Sequence, residues 1–262
     1  MELIEAGLLQ AVILTKNEEP NIARVLQKLT WLQRVIIVDS YSDDATIDIC
    51  KRFPNTSVYQ RAFDTHATQW NYGLSLADSQ WILSLDADYV LPDAFIQEIK
   101  EKLPQNGIAA FDAKFHFLVF GKALRGNNTM PRPVLFQKSL CVYFDDGHTQ
   151  RLQINGATGS FQQKIDHDDR KSLSRWLTNQ ASYSQKESGM LITAPNSQLS
   201  FISKVRKTKL LAPFLIFFYC LFVKGLILDG WRGWYYTLQR TIVEMLFALR
   251  LIEHDSFTNN TA

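Results

Sequence analysis

Asp86 and Asp88 follow directly on an apolar run, Trp81-Ile82-Leu83-Ser84-Leu85, with a single alanine between them. In an extended chain, residues two apart project to the same side, so both carboxylates address one point in space. Like charges that close repel unless a cation or a cluster of donors lies between them. The occupant that suits such a pair is a hard divalent ion, Mg or Mn, which takes oxygen ligands and shares them with substrate phosphates. The alternative is an Asp-rich turn in which Asp88 or Asp93 caps the helix that Pro92 begins.

A carboxylate pair at the end of a strand needs a sheet to hold it, and the preceding residues predict one. Residues 8–15 and 35–38 are continuous apolar runs of the kind buried on both faces. Residues 57–61 read as a shorter strand, and 20–29, 46–53 and 66–77 as helices, the first with Ile22, Val25, Leu26 and Leu29 at helical spacing. Strand and helix alternating through short connections imply right-handed parallel crossovers and a doubly wound sheet. Three strands end in polar loops: Thr15, Asn17 and Glu18 in the first, Asp39 and Ser40 in the second, Asp86 and Asp88 in the third. In a parallel sheet those ends share one edge. No Gly-x-Gly-x-x-Gly or Walker loop follows any of them. The row predicts a nucleotide site with a metal position at its end.

Composition narrows the setting. With 46% hydrophobic and 21% charged residues, the 262-residue chain has the make-up of a folded protein. A net charge of +2 without a basic stripe gives no case for nucleic acid as a partner. Cys50, Cys141 and Cys220 lack the spacing of a metal site or a disulfide framework, which fits a reducing compartment. The start, Met-Glu-Leu-Ile-Glu-Ala, lacks the basic region of a secretory signal, so the site is expected to face the cytoplasm.

Thr15-Lys16-Asn17-Glu18-Glu19, then Val38-Asp39-Ser40-Tyr41-Ser42-Asp43, then Asp86-Ala87-Asp88 resemble the signature of glycosyltransferase family 2, the inverting sugar transferases of GT-A fold. The branch this chain is most similar to is that of bacterial lipopolysaccharide-core and related cell-envelope transferases. The resemblance implies that Glu18 and Asp39 hold the uridine and ribose of a UDP-sugar. It also implies that Asp86 reaches the ribose or the metal's water shell, and that Asp88 binds the ion bridging the diphosphate. Gln69 and Asn71 match a helix that carries diphosphate or base contacts in that family, although the Gly and the Arg or Lys of many relatives are replaced here.

Inverting transfer requires one carboxylate to take the proton of the acceptor hydroxyl. By chain order Asp145 or Asp146 fits, with Asp146 favoured, and His148 would ligate the metal or steady the diphosphate. Comparable core transferases read Val-His-Glu there, whereas Gly147-His148-Thr149 lacks the Glu, and a hairpin turn explains Asp145-Asp146-Gly147 equally well. Arg132, in the loop 121–133, is a candidate acceptor contact. So are His167 and Arg170, which precede a polar helix over 171–188, while Asp168 and Asp169 read as caps of that helix.

The last quarter holds a basic cluster at 204–209, fourteen uncharged residues at 210–223, then Trp231, Trp234, Tyr235 and Tyr236, and an amphipathic helix over 237–252. The uncharged run is too short for a confident span, and the whole reads as monotopic attachment to an anionic membrane. The expectation is therefore an α/β chain: a GT-A (Rossmann-like), doubly wound, mostly parallel sheet with C-terminal membrane-associated helices. Residues 1–190 would form the transferase domain (1–103 nucleotide-binding half, 104–190 acceptor half) and 191–262 the membrane-association region. The function expected is metal-dependent transfer of a hexose from a nucleotide sugar to a lipid-linked cell-envelope glycan, at the cytoplasmic face of the plasma membrane. The rivals are a polyprenyl-phosphate glycosyltransferase and an inactive membrane scaffold of the same fold.

Overall fold

The computed structural model describes residues 7–103, 107–146, 149–195, 197 and 199–260. In chain order the elements are β1 (Leu9–Thr15), α1 (Ile22–Gln27), β2 (Val35–Asp39), α2 (Thr46–Cys50), β3 (Thr56–Gln60), α3 (His66–Leu76), β4 (Trp81–Asp86), β5 (Tyr89–Val90) and α4 (Asp93–Lys102). There follow β6 (Ile108–Val119), β7 (Lys122–Ala123), β8 (Arg132–Gln137), β9 (Cys141–Asp146), β10 (Thr149–Ile154), β11 (Ala157–His167), and the helices α5 (Leu173–Thr193), α6 (Phe201–Lys207), α7 (Leu211–Phe218) and α8 (Trp231–Asn260). The chain divides into two compact units, Met1–Gly121 with Asn128–Arg170, and Lys122–Asn127 with Lys171–Ala262.

In the first unit the main sheet runs in the order β3-β2-β1-β4-β8-β6-β11-β5. β3, β2, β1 and β4 pair in parallel; β8 is antiparallel to both β4 and β6, and β11 runs parallel to β6. The chain leaves β1 for β2 on one side and returns to β4 on the other, so the crevice of this open sheet lies at the carboxyl ends of β1 and β4.

The apolar runs split by parity into two cores, as period-2 side chains must. Leu9, Ala11, Ile13, Val35, Ile37, Trp81, Leu83 and Leu85 face α1 and α4, packing with Phe95 and Phe111. Val12, Ile36, Val38 and Ile82 face the other way, against Ala67, Trp70 and Leu74 of α3. α3 lies close to the sheet because Gly73 has no side chain: a Cβ there would stand 2.6 Å from Val12 Cγ1. The antiparallel hairpin β9–β10 covers α3 from outside, where the Trp70 and Tyr143 rings stack with centroids 5.3 Å apart.

The second unit departs from expectation in its helices. The uncharged run is not one helix but α7 and a π-helical turn at Tyr219–Val223, with a 3-10 turn following it at Leu226–Asp229. The final helix begins earlier and ends later than 237–252; at its start Gly233 lets the first turn press on the Leu226 carbonyl, which an added Cβ would meet at 1.8 Å.

Candidate functional site

The first two strand-end loops are laced into one body. Asp39, fully buried at the end of β2, accepts hydrogen bonds from Thr15 Oγ1 (2.9 Å) and Ser42 Oγ on one oxygen, and from the Ser42 amide (2.8 Å) and Gln60 Nε2 on the other. Asn17 takes the left-handed conformation (φ 57°), which Asn tolerates better than most residues, and its Oδ1 accepts the Asp43 amide at 2.9 Å. The amides of Asn17 and Glu18 in turn donate to Ser42 Oγ and Thr46 Oγ1. Gln69, fully buried on α3, donates to Ser40 Oγ at 3.0 Å and to the Arg61 carbonyl at 3.2 Å, fastening α3 to the same loop. Thr15, Asn17, Glu18, Asp39, Ser40 and Gln69 are therefore brought together. Asn71 stands apart: its amide donates to the Tyr143 carbonyl at 2.8 Å and accepts the Tyr143 amide at 3.0 Å, so both polar atoms clamp the main chain of β9.

Asp86 ends β4 on the α3 side, beside Ser84, whose hydroxyl lies 3.0 Å from Tyr143 Oη. The Tyr89 hydroxyl, hydrogen-bonded to Asp86, is pushed well above its ordinary pKa by burial and by the charge of Asp86, with Arg132 pulling the other way. It remains a proton donor to that carboxylate at any ordinary pH. Arg132 opens the antiparallel strand β8, which brings it to the edge where β4 ends, and its charge opposes that of Asp86 at Tyr143 too.

Asp88 meets His167, the last residue of β11, whose Nε2 lies 3.3 Å from Asp88 Oδ2. The main chain secures the pair: His167 is the sheet partner of Tyr89, and the Asp168 amide donates to the Asp88 carbonyl at 3.0 Å. The Tyr89 and Phe117 rings close edge-on around the imidazole. Burial depresses the His167 pKa, but Asp88 first and then Asp86 and Asp169 outweigh it, so the net direction is upward. His167 Nδ1 is buried and has no hydrogen-bond partner.

A buried polar hub joins this side to the first loop. The fully buried Asn21 donates to Glu18 Oε2 (3.0 Å) and Asp169 Oδ1 (2.9 Å), while its Oδ1 accepts from Arg24 and from the Arg170 amide, both at 2.9 Å. Arg24 pairs with the Asp168 carboxylate and donates to its carbonyl at 2.8 Å; Arg170 Nε donates to the same carboxylate at 3.0 Å. This corrects the reading of Asp168 as a helix cap, since the cap of α5 is Ser172. Asn21 and Arg24 went unread because each could pass for an ordinary residue in the first turns of a surface helix.

Asp145 sits at the outer end of the hairpin, its Oδ1 accepting the Ala67 amide in the first turn of α3 at 3.4 Å. α3 follows β3, so that turn lies at the carboxyl edge of the sheet. The pairing of Asp146 with Thr149 confirms a hairpin there. Gly147 and His148, and the side chain of Asp146, lie outside the described residues.

No group of three or more His, Cys, Asp or Glu among the described residues is arranged to hold a metal ion. An ion shared with a diphosphate needs only one or two protein carboxylates, and Asp88, with Asp86 two residues before it, supplies oxygen donors suited to Mn or Mg. The residues present fit such an ion.

The model of the family described as "Glycosyl transferase family 2" matches residues 10–162, more than half of the chain. The chain belongs to glycosyl transferase family 2. Among relatives in this family, an uncharacterized glycosyltransferase of Rickettsia felis is 33% identical over 93 residues, which are 35% of this chain and 32% of that protein. One from Rickettsia typhi is 33% identical over 89 residues, 34% of this chain and 30% of that protein. The matched stretch thus spans about a third of the length of these relatives. Two solved structures share the GT-A fold of the family. S. aureus TarS 1-349 in complex with UDP-GlcNAc superimposes with a TM-score of 0.51 at 11% identity, covering 90% of each chain. The mannosyltransferase PcManGT of Pyrobaculum calidifontis, in complex with GDP-Man and Mn2+, gives 0.51 at 14% identity, covering 93% of this chain and 85% of that one.

Proposed function

We propose that this chain is a metal-dependent inverting glycosyltransferase that moves a hexose from a nucleotide sugar, UDP-linked, to a lipid-linked cell-envelope glycan such as lipopolysaccharide core, at the cytoplasmic face of the plasma membrane. The observation that carries the reading is the carboxylate pair at the end of β4, with Asp88 held 3.3 Å from His167 beside the interlaced loops of β1 and β2. Asp88 would hold the manganese or magnesium ion, with His167 steadying its carboxylate from 3.3 Å, and the ion would supply charge neutralisation to a departing diphosphate. Asp39, its oxygens already engaged, would stiffen the first loops so that Glu18, Asn17 and Ser40 meet the base and ribose. Asp86, fixed by the Tyr89 hydroxyl, would take the ribose or the ion's water shell. Arg132 and Arg170 are proposed to meet the acceptor or its charge. Asn71 serves instead to position β9, and with it the candidate bases.

The general base would come from the hairpin. The Asp145 carboxylate is already engaged by the Ala67 amide at 3.4 Å, so Asp146 is the residue proposed to take the acceptor proton. The test is transfer of label from a UDP-sugar into a lipid-extractable product. The Asp145→Asn/Asp146→Asn variant should lose about 100- to 10,000-fold in rate, the usual contribution of general-base catalysis. Undiminished transfer would favour an acceptor that is already an anion, a polyprenyl phosphate, and would overturn the assignment of a base.

A further inference from the structure

The helices of the second unit carry their apolar residues on the wrong side for a face left to water. In α7 and the π-helical turn after it, Leu211, Phe214, Leu215, Phe218 and Phe222 point outward, while Ala212, Pro213, Cys220 and Leu221 point in. Phe214, Phe218 and Phe222 are 65%, 54% and 60% exposed, and the rings of Phe218 and Phe222 stack 6.1 Å apart, so the turn keeps them on one side. α8 repeats the arrangement. Trp231, Trp234, Leu238, Met245 and Leu249 are all exposed, and at 3.6 residues per turn they fall within about 60° of one another. The opposite side of the helix is the one that builds a core, with Val243 and Phe247 on Leu191. Phe217 and Trp234 meet edge-on, 5.9 Å between centroids, which joins the two outward faces.

The rim is cationic. Lys224 Nζ stands 5.5 Å from the Tyr219 ring centroid, and the Arg232 guanidinium lies 4.5 Å over Trp231. The nearby acid, Asp229, is occupied by Arg125, through its amide at 2.9 Å and its guanidinium at 3.4 Å. The basic cluster at 204–209 contributes less than its sequence promised. Arg206 is spent on Glu244 and Glu187, and Lys209 on Asp255, leaving Lys204 exposed.

We propose that the outer face of α7 and its π-helical turn, with the exposed stripe of α8, is a docking surface for an anionic lipid bilayer, lying in the interface with Lys224 and Arg232 at the headgroups. Large exposed apolar patches on soluble folds mark interaction sites. An apolar face rimmed by cations stacked on aromatic rings matches acyl chains beneath phosphate groups. Two-fold contact with a second copy would bring two such cationic rims into one interface without an acidic counterpart on the patch. Among the described residues no helix is long and apolar enough to cross a membrane, which fits a surface that lies in the interface. The inference deepens the reading above, which already sets the chain at a membrane, by naming the surface that docks there, and it does not depend on the donor.

The full-length chain is sedimented with vesicles of phosphatidylcholine alone and of phosphatidylcholine mixed with phosphatidylglycerol, without nucleotide or metal. It should bind the anionic vesicles, and less so at high salt. Phe214→Ser/Phe218→Ser/Phe222→Ser should weaken binding at least about 100-fold, three exposed rings being withheld from the acyl region. Lys224→Gln/Arg232→Gln should weaken it about 30-fold and only on anionic vesicles. Phe214, Phe218 and Phe222 lie at the surface while Lys224 and Arg232 are half-buried, and an unchanged unfolding midpoint confirms that the variants fold. The proposal is overturned if the wild type stays in the supernatant with both vesicles, if the triple variant sediments like the wild type, or if the face proves to hold a dimer that the triple variant dissociates. Vesicle binding is read without UDP, so its failure leaves the transferase reading standing, and failed UDP binding leaves this result intact.

Discussion

Replacing Asp88 with asparagine is expected to slow sugar transfer by about 1,000-fold and to abolish metal-dependent UDP binding, with the fold unchanged. The size follows from the role. An ion on the diphosphate supplies several kcal/mol of charge stabilisation to the leaving group, and a 1,000-fold loss corresponds to about 4 kcal/mol. Asparagine keeps the shape of the side chain and the carbonyl that accepts the Asp168 amide, so β5 and β11 should stay in register. It also leaves an oxygen for His167 at the Oδ2 position, 3.3 Å away. What it removes is the negative charge. Steady-state transfer and UDP titration in manganese, alongside the thermal midpoint, make the measurement. A variant that binds UDP with unchanged metal dependence would remove Asp88 from the metal site.

Asp168→Ala is expected to cost about 3 kcal/mol in urea unfolding, well beyond any surface ion pair of this chain. The Asp168 side chain is only 4% exposed, and it faces Arg24 at 20% and Arg170 at 50%. Burial pulls the Arg24 pKa down and Asp168 pushes it back, so deleting the carboxylate leaves a half-buried cation beside Arg170, with only the weaker pull of Asp88 and Asp169 to offset it. The control is Lys28–Asp93, whose side chains are 38% and 86% exposed, where Asp93→Ala should stay within about 0.5 kcal/mol. Adding Arg24→Leu to Asp168→Ala should recover part of the loss, because the cost lies in the orphaned charge. Equal costs for Asp168→Ala and Asp93→Ala would show that the hub contributes no more than a surface pair.

The strands that build the nucleotide half were legible because β1, β2 and β4 are buried on both faces and so read as unbroken apolar runs. β11 was not. In Ala157–His167 only Phe161 and Ile165 are buried, and the intervening Gln162, Gln163 and Lys164 face solvent, so the run resembles a loop although it delivers His167 to Asp88. The hub was equally hidden, since its partners stand 144 to 149 residues apart and no local pattern predicts which polar side chain is buried. Asn71 shows the reverse error of sight: an amide facing the main chain of β9 has the same sequence appearance as one facing a ligand. Polar residue types announce that a site exists at the strand ends, while their division between holding a ligand and holding the loops is decided by long-range packing.

The central claim is that the end of β4 binds a nucleotide diphosphate through a divalent ion. Calorimetric titration of UDP into the full chain, first in manganese and then after EDTA, tests it most directly. The account predicts saturable binding in manganese that disappears when the ion is chelated. Absence of binding in manganese, or binding of equal strength in EDTA, would contradict it.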